Sequence, residues 1–180
     1  CTITSLSPSS ETHSAEAFST SSGDDIIVNG QAYCTFNVTN NCSWVTVSPM
    51  SGSMNQVGQV LLNYSITAWN GTSSRTCTFY INGSPFTITQ NGCSNDFDDG
   101  TESATAAGKT YSLGIDAYSA CDWTITNPCS QWVTINQSSG TGQSDISVTV
   151  APNNTCTSRT CTLTISPGGD THVITQQGIA

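Results

Sequence analysis

Apolar residues recur at every second position in several stretches of the chain: Val60, Leu62, Tyr64 and Ile66, then Ile146, Val148 and Val150, then Leu163 and Ile165. A period of two places such residues on one side of an extended backbone and so predicts half-buried β-strands. Turn-rich tracts break the runs, among them Ser51-Gly-Ser, Asn70-Gly-Thr, Asn82-Gly-Ser-Pro, Ser138-Ser-Gly-Thr-Gly and Pro167-Gly-Gly-Asp. Their intervals suit the short antiparallel strands of a sandwich. No segment carries the three-to-four spacing of an amphipathic helix.

The pattern occurs twice. Cys34-Thr-Phe-Asn-Val-Thr-Asn-Asn-Cys42-Ser-Trp44-Val-Thr-Val lies over Cys121-Asp-Trp-Thr-Ile-Thr-Asn-Pro-Cys129-Ser-Gln-Trp132-Val-Thr-Ile. Downstream, Ser51-Gly52 falls on Ser139-Gly140, Ser74-Arg75-Thr-Cys77-Thr on Ser158-Arg159-Thr-Cys161-Thr, and Ile88-Thr-Gln90-Asn-Gly92 on Ile174-Thr-Gln176-Gln-Gly178. Matches in one order over a fixed period mark an internal repeat. The expected domains are therefore 1–92 and 93–180, all-β, two tandem immunoglobulin-like antiparallel sandwiches, with Cys1 the counterpart of Cys93. Trp44 and Trp132 open equivalent strands and are expected as large buried anchors, with sugar stacking the alternative.

Composition narrows the class. Nine cysteines in 180 residues, without a C-x-x-C pair and with only two histidines, point to a disulfide framework rather than a metal site. That implies an oxidising compartment and a secreted, extracellular or cell-surface protein, whose signal peptide would already be gone. Charged residues make up 8% of the chain, and three basic side chains (Arg75, Lys109, Arg159) face twelve acids for a net charge of −9. Such a chain offers no positive patch for phosphates, so no nucleic-acid partner is expected. No run of about twenty apolar residues exists to insert into a bilayer.

The residues that recur resemble the BACON domain of bacterial secreted proteins. The resemblance rests on an opening Cys, Cys121-Asp-Trp123, a second Trp followed by Val-Thr-Ile, the Ser-Gly-Thr-Gly turn, the Ser-Arg-Thr strand and the closing Thr-Gln-x-Gly. It covers nearly the whole chain twice. The first repeat departs from it where Phe36 replaces a Trp and where Met54 and Asn55 interrupt the Gly-rich turn. The family is similar to immunoglobulin-like sandwiches, and its members have been proposed to bind carbohydrate or mucin, commonly as accessories to enzymes. The resemblance also implies disulfides Cys1–Cys34 and Cys93–Cys121, with the remaining shared positions suggesting Cys42–Cys77 and Cys129–Cys161. Cys156 is then odd, as a free thiol or a link to another chain; if it bonds Cys129 instead, Cys161 is the odd one.

Candidate chemistry is sparse. No nucleophile elbow, zinc helix, phosphate loop or dinucleotide fingerprint occurs, so no enzymatic activity and no cofactor are expected. His13 falls in a Ser/Thr/Glu-rich loop and His172 on a strand, where each reads as an ordinary residue. The densest acidic group, Asp96, Asp98 and Asp99 with Glu102, is a solvated turn or a weak Ca²⁺ candidate that falls short of an EF-hand. Its first-repeat counterpart is Ser22-Gly-Asp24-Asp25. Asn37, Asn41, Asn63, Asn70, Asn136 and Asn153 head sequons. Trp69 has no aromatic counterpart in the second repeat and is a candidate glycan or subunit contact.

Two functions follow as expectations. The first is a structural protomer that self-associates head-to-tail through the odd cysteine into an extracellular filament, because such a contact does not close on itself. The alternative is a carbohydrate-binding or adhesion module. Glycan hydrolysis through the acidic loop is a distant third.

Overall fold

Alternating apolar positions become strands where the apolar side meets a second sheet. The computed structural model describes residues 1–20 and 24–180, and no helix occurs among them. The first half holds β1 (Ile3–Ser7), β2 (Ser10–His13), β3 (Phe18–Ser19), β4 (Ile26–Gly30), β5 (Thr35–Thr39), β6 (Val45–Ser48), β7 (Ser51–Ser53), β8 (Gln59–Ile66), β9 (Arg75–Ile81) and β10 (Ser84–Gln90). The second holds β11 (Asp96–Phe97), β12 (Thr101–Ala104), β13 (Lys109–Asp116), β14 (Asp122–Thr126), β15 (Val133–Ile135), β16 (Ser139–Thr141), β17 (Ser144–Val150), β18 (Arg159–Ser166) and β19 (Thr171–Gln176).

Two compact units result: Cys1–Trp69 with Ser73–Gly92, and Asn70–Thr72 with Cys93–Ala180. In the first, one sheet runs β1-β4-β8-β3 with β6 also on β8, and the other runs β2-β10-β9-β5-β7. The second unit repeats this as β11-β13-β17-β15 and β12-β19-β18-β14-β16. Ladders are antiparallel except β2 with β10 and β12 with β19, where an early strand runs parallel to the last one of its unit. Each is an immunoglobulin-like β-sandwich. Strand β3 has no equivalent in the second unit.

Each unit has its own core. Ile26, Leu62, Phe79, Phe86 and Ile88 fill the first, and Leu113, Trp123, Ile146, Leu163 and Ile174 the second. The Ser-Gly matches follow from that packing. Trp123 lies opposite Gly140 in the β14–β16 ladder, and Phe36 opposite Gly52 in β5–β7. A Cβ at Gly140 would overlap the Trp123 ring, while one at Gly52 would stand 3.0 Å from Phe36 Cε1. The larger ring therefore takes the space that the missing side chain leaves.

The disulfides are Cys1–Cys34 and Cys42–Cys77 in the first unit and Cys93–Cys121 and Cys129–Cys161 in the second. Cys156 is free and exposed.

The recurring Trp, Arg and Gln form one assembly per unit. Arg75 stacks on Trp44 with 4.2 Å between guanidinium and ring centre, and its Nε donates to Gln90 Oε1 at 2.9 Å. Arg159 repeats the stack on Trp132 at 4.2 Å and donates to Gln176 Oε1 at 2.8 Å. Both glutamines are fully buried, and their amides donate in turn to backbone carbonyls: Ala15, Glu16 and Thr67 for Gln90, and Thr105, Ala106 and Ala151 for Gln176. This corrects the expected role of Trp44 and Trp132. Both are half-buried and lie just before their strands, each with one face covered by an arginine; the fully buried tryptophan is Trp123.

Candidate ligand-binding site

Residues shared by the two repeats are consumed by the fold: disulfides, the Trp–Arg–Gln assemblies and the Gly–aromatic pairs. A binding site must therefore be sought among residues that the repeats do not share. Trp69 is one, and the structure gives it a local structural task. It lies beyond the end of β8, half-buried, its ring centre 4.5 Å from the Arg75 guanidinium, and its Nε1 donates to Ser73 O at 2.8 Å. Arg75 is thus held between Trp44 and Trp69.

The acidic group does not assemble into a cation site. Asp98 turns back to accept the Gly114 amide at 3.0 Å, and Asp99 accepts the Thr101 amide at 3.2 Å. Asp96 projects outward from β11. Among the described residues no three His, Cys, Asp or Glu side chains converge as metal ligands, which corrects the Ca²⁺ candidate. Of its first-repeat counterpart, Ser22 and Gly23 lie outside the described residues. Glu102 instead pairs with Lys109 at 2.9 Å, whose hydrogen bond holds the carboxyl below its ordinary range.

Both histidines are better placed than their sequence context suggests. His172 on β19 is 1% exposed; its Nδ1 faces Asp99 O at 2.5 Å, which fixes the proton there, because a carbonyl only accepts. Its Nε2 then accepts from the Tyr111 hydroxyl at 2.9 Å. Burial, reinforced by Glu102 and Asp99, raises the Tyr111 pKa and keeps that hydroxyl protonated. His13 is on β2 rather than in a loop, with Nε2 2.7 Å from the Tyr64 hydroxyl. Asn153 is also unlike the other sequons: it is 1% exposed, and its amide holds Thr157 O and Gln177 O, so it offers no acceptor for a glycan in the folded chain.

The second unit carries a shallow concavity of about 310 Å³, lined by Ser94, Asp96, Asp116, Ala117, Tyr118 and Gln143. Three elements build it. The β11–β13 ladder sets Asp96 opposite Asp116, the chain leaving β13 presents Tyr118, and the turn entering β17 brings Gln143 Nε2 to 3.4 Å from Asp116 Oδ1. Tyr118 is 44% exposed. Its ring is an apolar face beside two solvated carboxylates and an amide, the combination that recognises a neutral, hydroxyl-rich ligand. Sequence reading singled out only Asp96 of this set. Asp116, Tyr118 and Gln143 carry no motif, and only the ladder and the turn bring them together.

Comparison with known proteins gives the following. Residues 5–92 match a family described as "Viral BACON domain", and residues 122–177 match the BACON family, described as "Putative binding domain, N-terminal". No curated protein matches the chain. Among solved structures, a Bacteroides ovatus GH5 xyloglucanase in complex with a XXXG heptasaccharide is 25% identical over 44% of this chain (TM-score 0.40), which corresponds to 17% of that protein's length. The D0-D1 domain of intimin is 12% identical, with 99% of each chain covered and a TM-score of 0.33. The I9-I11 tandem from titin is 7% identical over 94% of this chain and 63% of its own (TM-score 0.37).

Proposed function

We propose, from the premise that this chain is a tandem of BACON-like domains, that it is a non-enzymatic extracellular binding module whose second unit holds a neutral carbohydrate. The family match makes a binding role the starting point. The observation that carries the carbohydrate reading is the Tyr118 concavity, an exposed ring flanked by Asp96, Asp116 and Gln143. Sugar C–H groups pack against such a ring, while carboxylate and amide oxygens accept from vicinal hydroxyls. Four disulfides support an extracellular location. The filament reading retains the exposed Cys156 thiol as its support and is the weaker of the two.

The test is a glycan array followed by titration of the retained sugar. Tyr118→Ala is expected to weaken binding at least about fivefold, with an unchanged melting temperature. Trp69→Ala is expected to leave the affinity unaltered. A wild-type chain that retains no glycan sinks the proposal.

A further inference from the structure

The Tyr118 concavity has three walls, residues 94–96, residues 116–118 and the connection Gly142-Gln143 between β16 and β17. All three are fastened to one short stretch, Cys121-Asp122-Trp123. Alternation at 93–97 buries Cys93, Asn95 and Phe97 and leaves Ser94 and Asp96 outward. Cys93 is bonded to Cys121 through sulfur, and Asn95 Nδ2 donates to Asp122 O at 3.0 Å. The second wall ends in a turn that begins at Tyr118, because the Cys121 amide donates to Tyr118 O at 2.8 Å. The third is held by three bonds. Gly142 N donates to Cys121 O at 2.9 Å, Trp123 Nε1 to Gly142 O at 2.9 Å, and Thr141 Oγ1 to Asp122 Oδ1 at 2.5 Å.

The bond from Trp123 bears most directly on the site. Its indole is 1% exposed, and a buried indole N–H needs an acceptor, which the buried Gly142 carbonyl supplies. That carbonyl belongs to the peptide plane leading into Gln143, so the indole fixes the direction in which Gln143 departs towards Asp116. Gly142 has φ +72°, and a Cβ there would stand 3.4 Å from Ser119 Cα, so the connection lies against the residue that follows Tyr118. The first unit lacks this fastening. Met54 takes the place of Gly142, and its amide still donates to Cys34 O at 2.9 Å. Phe36, however, takes the place of Trp123 and has no N–H to donate, and the connection there is longer, residues 54–58.

We infer that Cys121, Asp122 and Trp123 are positioning residues of the carbohydrate site, and that Trp123 sets Gln143 against Asp116 through the Gly142 carbonyl. The role rests on the carbohydrate reading of the concavity. It supplies what a shallow site needs: polar groups already in place, so that little ordering remains to be done on binding.

The experiment compares Trp123→Phe with the wild type in the full chain. The probe is the neutral oligosaccharide that the glycan array retains most tightly, titrated by calorimetry, and the ligand-free chains are followed by hydrogen exchange. Phenylalanine fills the equivalent place in the first unit, so the sandwich should persist. Trp123→Phe is expected to weaken the sugar about three- to tenfold. Exchange in peptides spanning 139–145 should speed up at least about threefold, as the Gly142 amide loses protection. Thr141→Val removes one exposed bond of the same fastening without touching the core and should weaken the sugar about twofold, which keeps the test open if Trp123→Phe does not fold. Gln176→Leu destabilises the same unit at the other end of the β13–β17 ladder, beside Ala151, and should leave the affinity within about twofold. Unchanged affinity in both Trp123→Phe and Thr141→Val overturns the inference. An equal loss in Gln176→Leu does so too, because the effect would then follow from stability alone. A wild type that retains no sugar refutes the carbohydrate reading, whereas unchanged exchange at 139–145 in Trp123→Phe refutes the positioning role by itself.

Discussion

Replacing Gln176 by Leu tests whether the Trp–Arg–Gln assembly holds the second sandwich together. The substitution keeps roughly the same volume in a fully buried position and removes an amide that joins β19 to Arg159 and to three backbone carbonyls. The carbonyls do not become orphans. Thr105 O still accepts the Gly108 amide, Ala106 O the Asn153 amide, and Ala151 O the Arg159 Nη2. What loses its partner is Arg159 Nε, a charged donor beneath the Trp132 stack. One unpaired donor of that kind costs about 1–3 kcal/mol, and the lost amide bonds add about 1 kcal/mol, for a total of about 2–4 kcal/mol. In a unit of this size such a loss lowers the melting temperature by about 10–30 °C. The assay is thermal and urea unfolding of the disulfide-intact chain, with hydrogen exchange by mass spectrometry to localise the change to the second unit. A double-mutant cycle with Arg159→Met should give a coupling of about 1–2 kcal/mol. Destabilisation below about 0.5 kcal/mol, or a coupling near zero, refutes the view that the recurring Arg and Gln work as a pair.

Further expectations address other parts of the fold. Gly140→Ala should destabilise the second unit by about 1–3 kcal/mol because its Cβ meets the Trp123 ring, whereas Gly52→Ala, with Phe36 at 3.0 Å, should cost less than about 1 kcal/mol; urea midpoints of the two variants decide. Burial lowers the folded-state pKa of His13, so its contribution to the first unit is present above the unfolded value of about 6.5 and is lost as pH falls below it. Urea midpoints between pH 5 and pH 8 should therefore decline on the acid side, and His13→Phe should flatten that part of the slope. Alkylation of the native, unreduced chain should add one label, at Cys156; no label, together with a ladder on non-reducing electrophoresis that collapses to monomer on reduction, would instead support the intermolecular bond.

Much of the fold was open to reading because its signals are local or repeated. The alternation at 60–66 and 144–150 marks strands directly, and the twofold recurrence divides the chain near Gly92. The Trp, Arg and Gln recur visibly as well, yet their joint task was hidden, since a guanidinium stacked on an indole and bonded to a glutamine leaves no spacing rule. That is why Trp44 and Trp132 were expected to be buried when each is half-covered by an arginine. The Tyr118 concavity was still less legible, since it depends on a ladder pair and a turn, neither of which is written in residue type.

The placement of the disulfides also determines how the molecule answers tension. Pulled at its two ends, the first unit transmits load from Cys1 directly to Cys34 and from Cys42 directly to Cys77, so the strands enclosed by those loops carry no pull. Only segments 35–41 and 78–92 can pay out, on the order of 75 Å of chain, against roughly 300 Å for the same unit once its sulfurs are reduced. The oxidised unit therefore extends only about a quarter as far as the reduced one, and reducing agents would lengthen the leash several-fold.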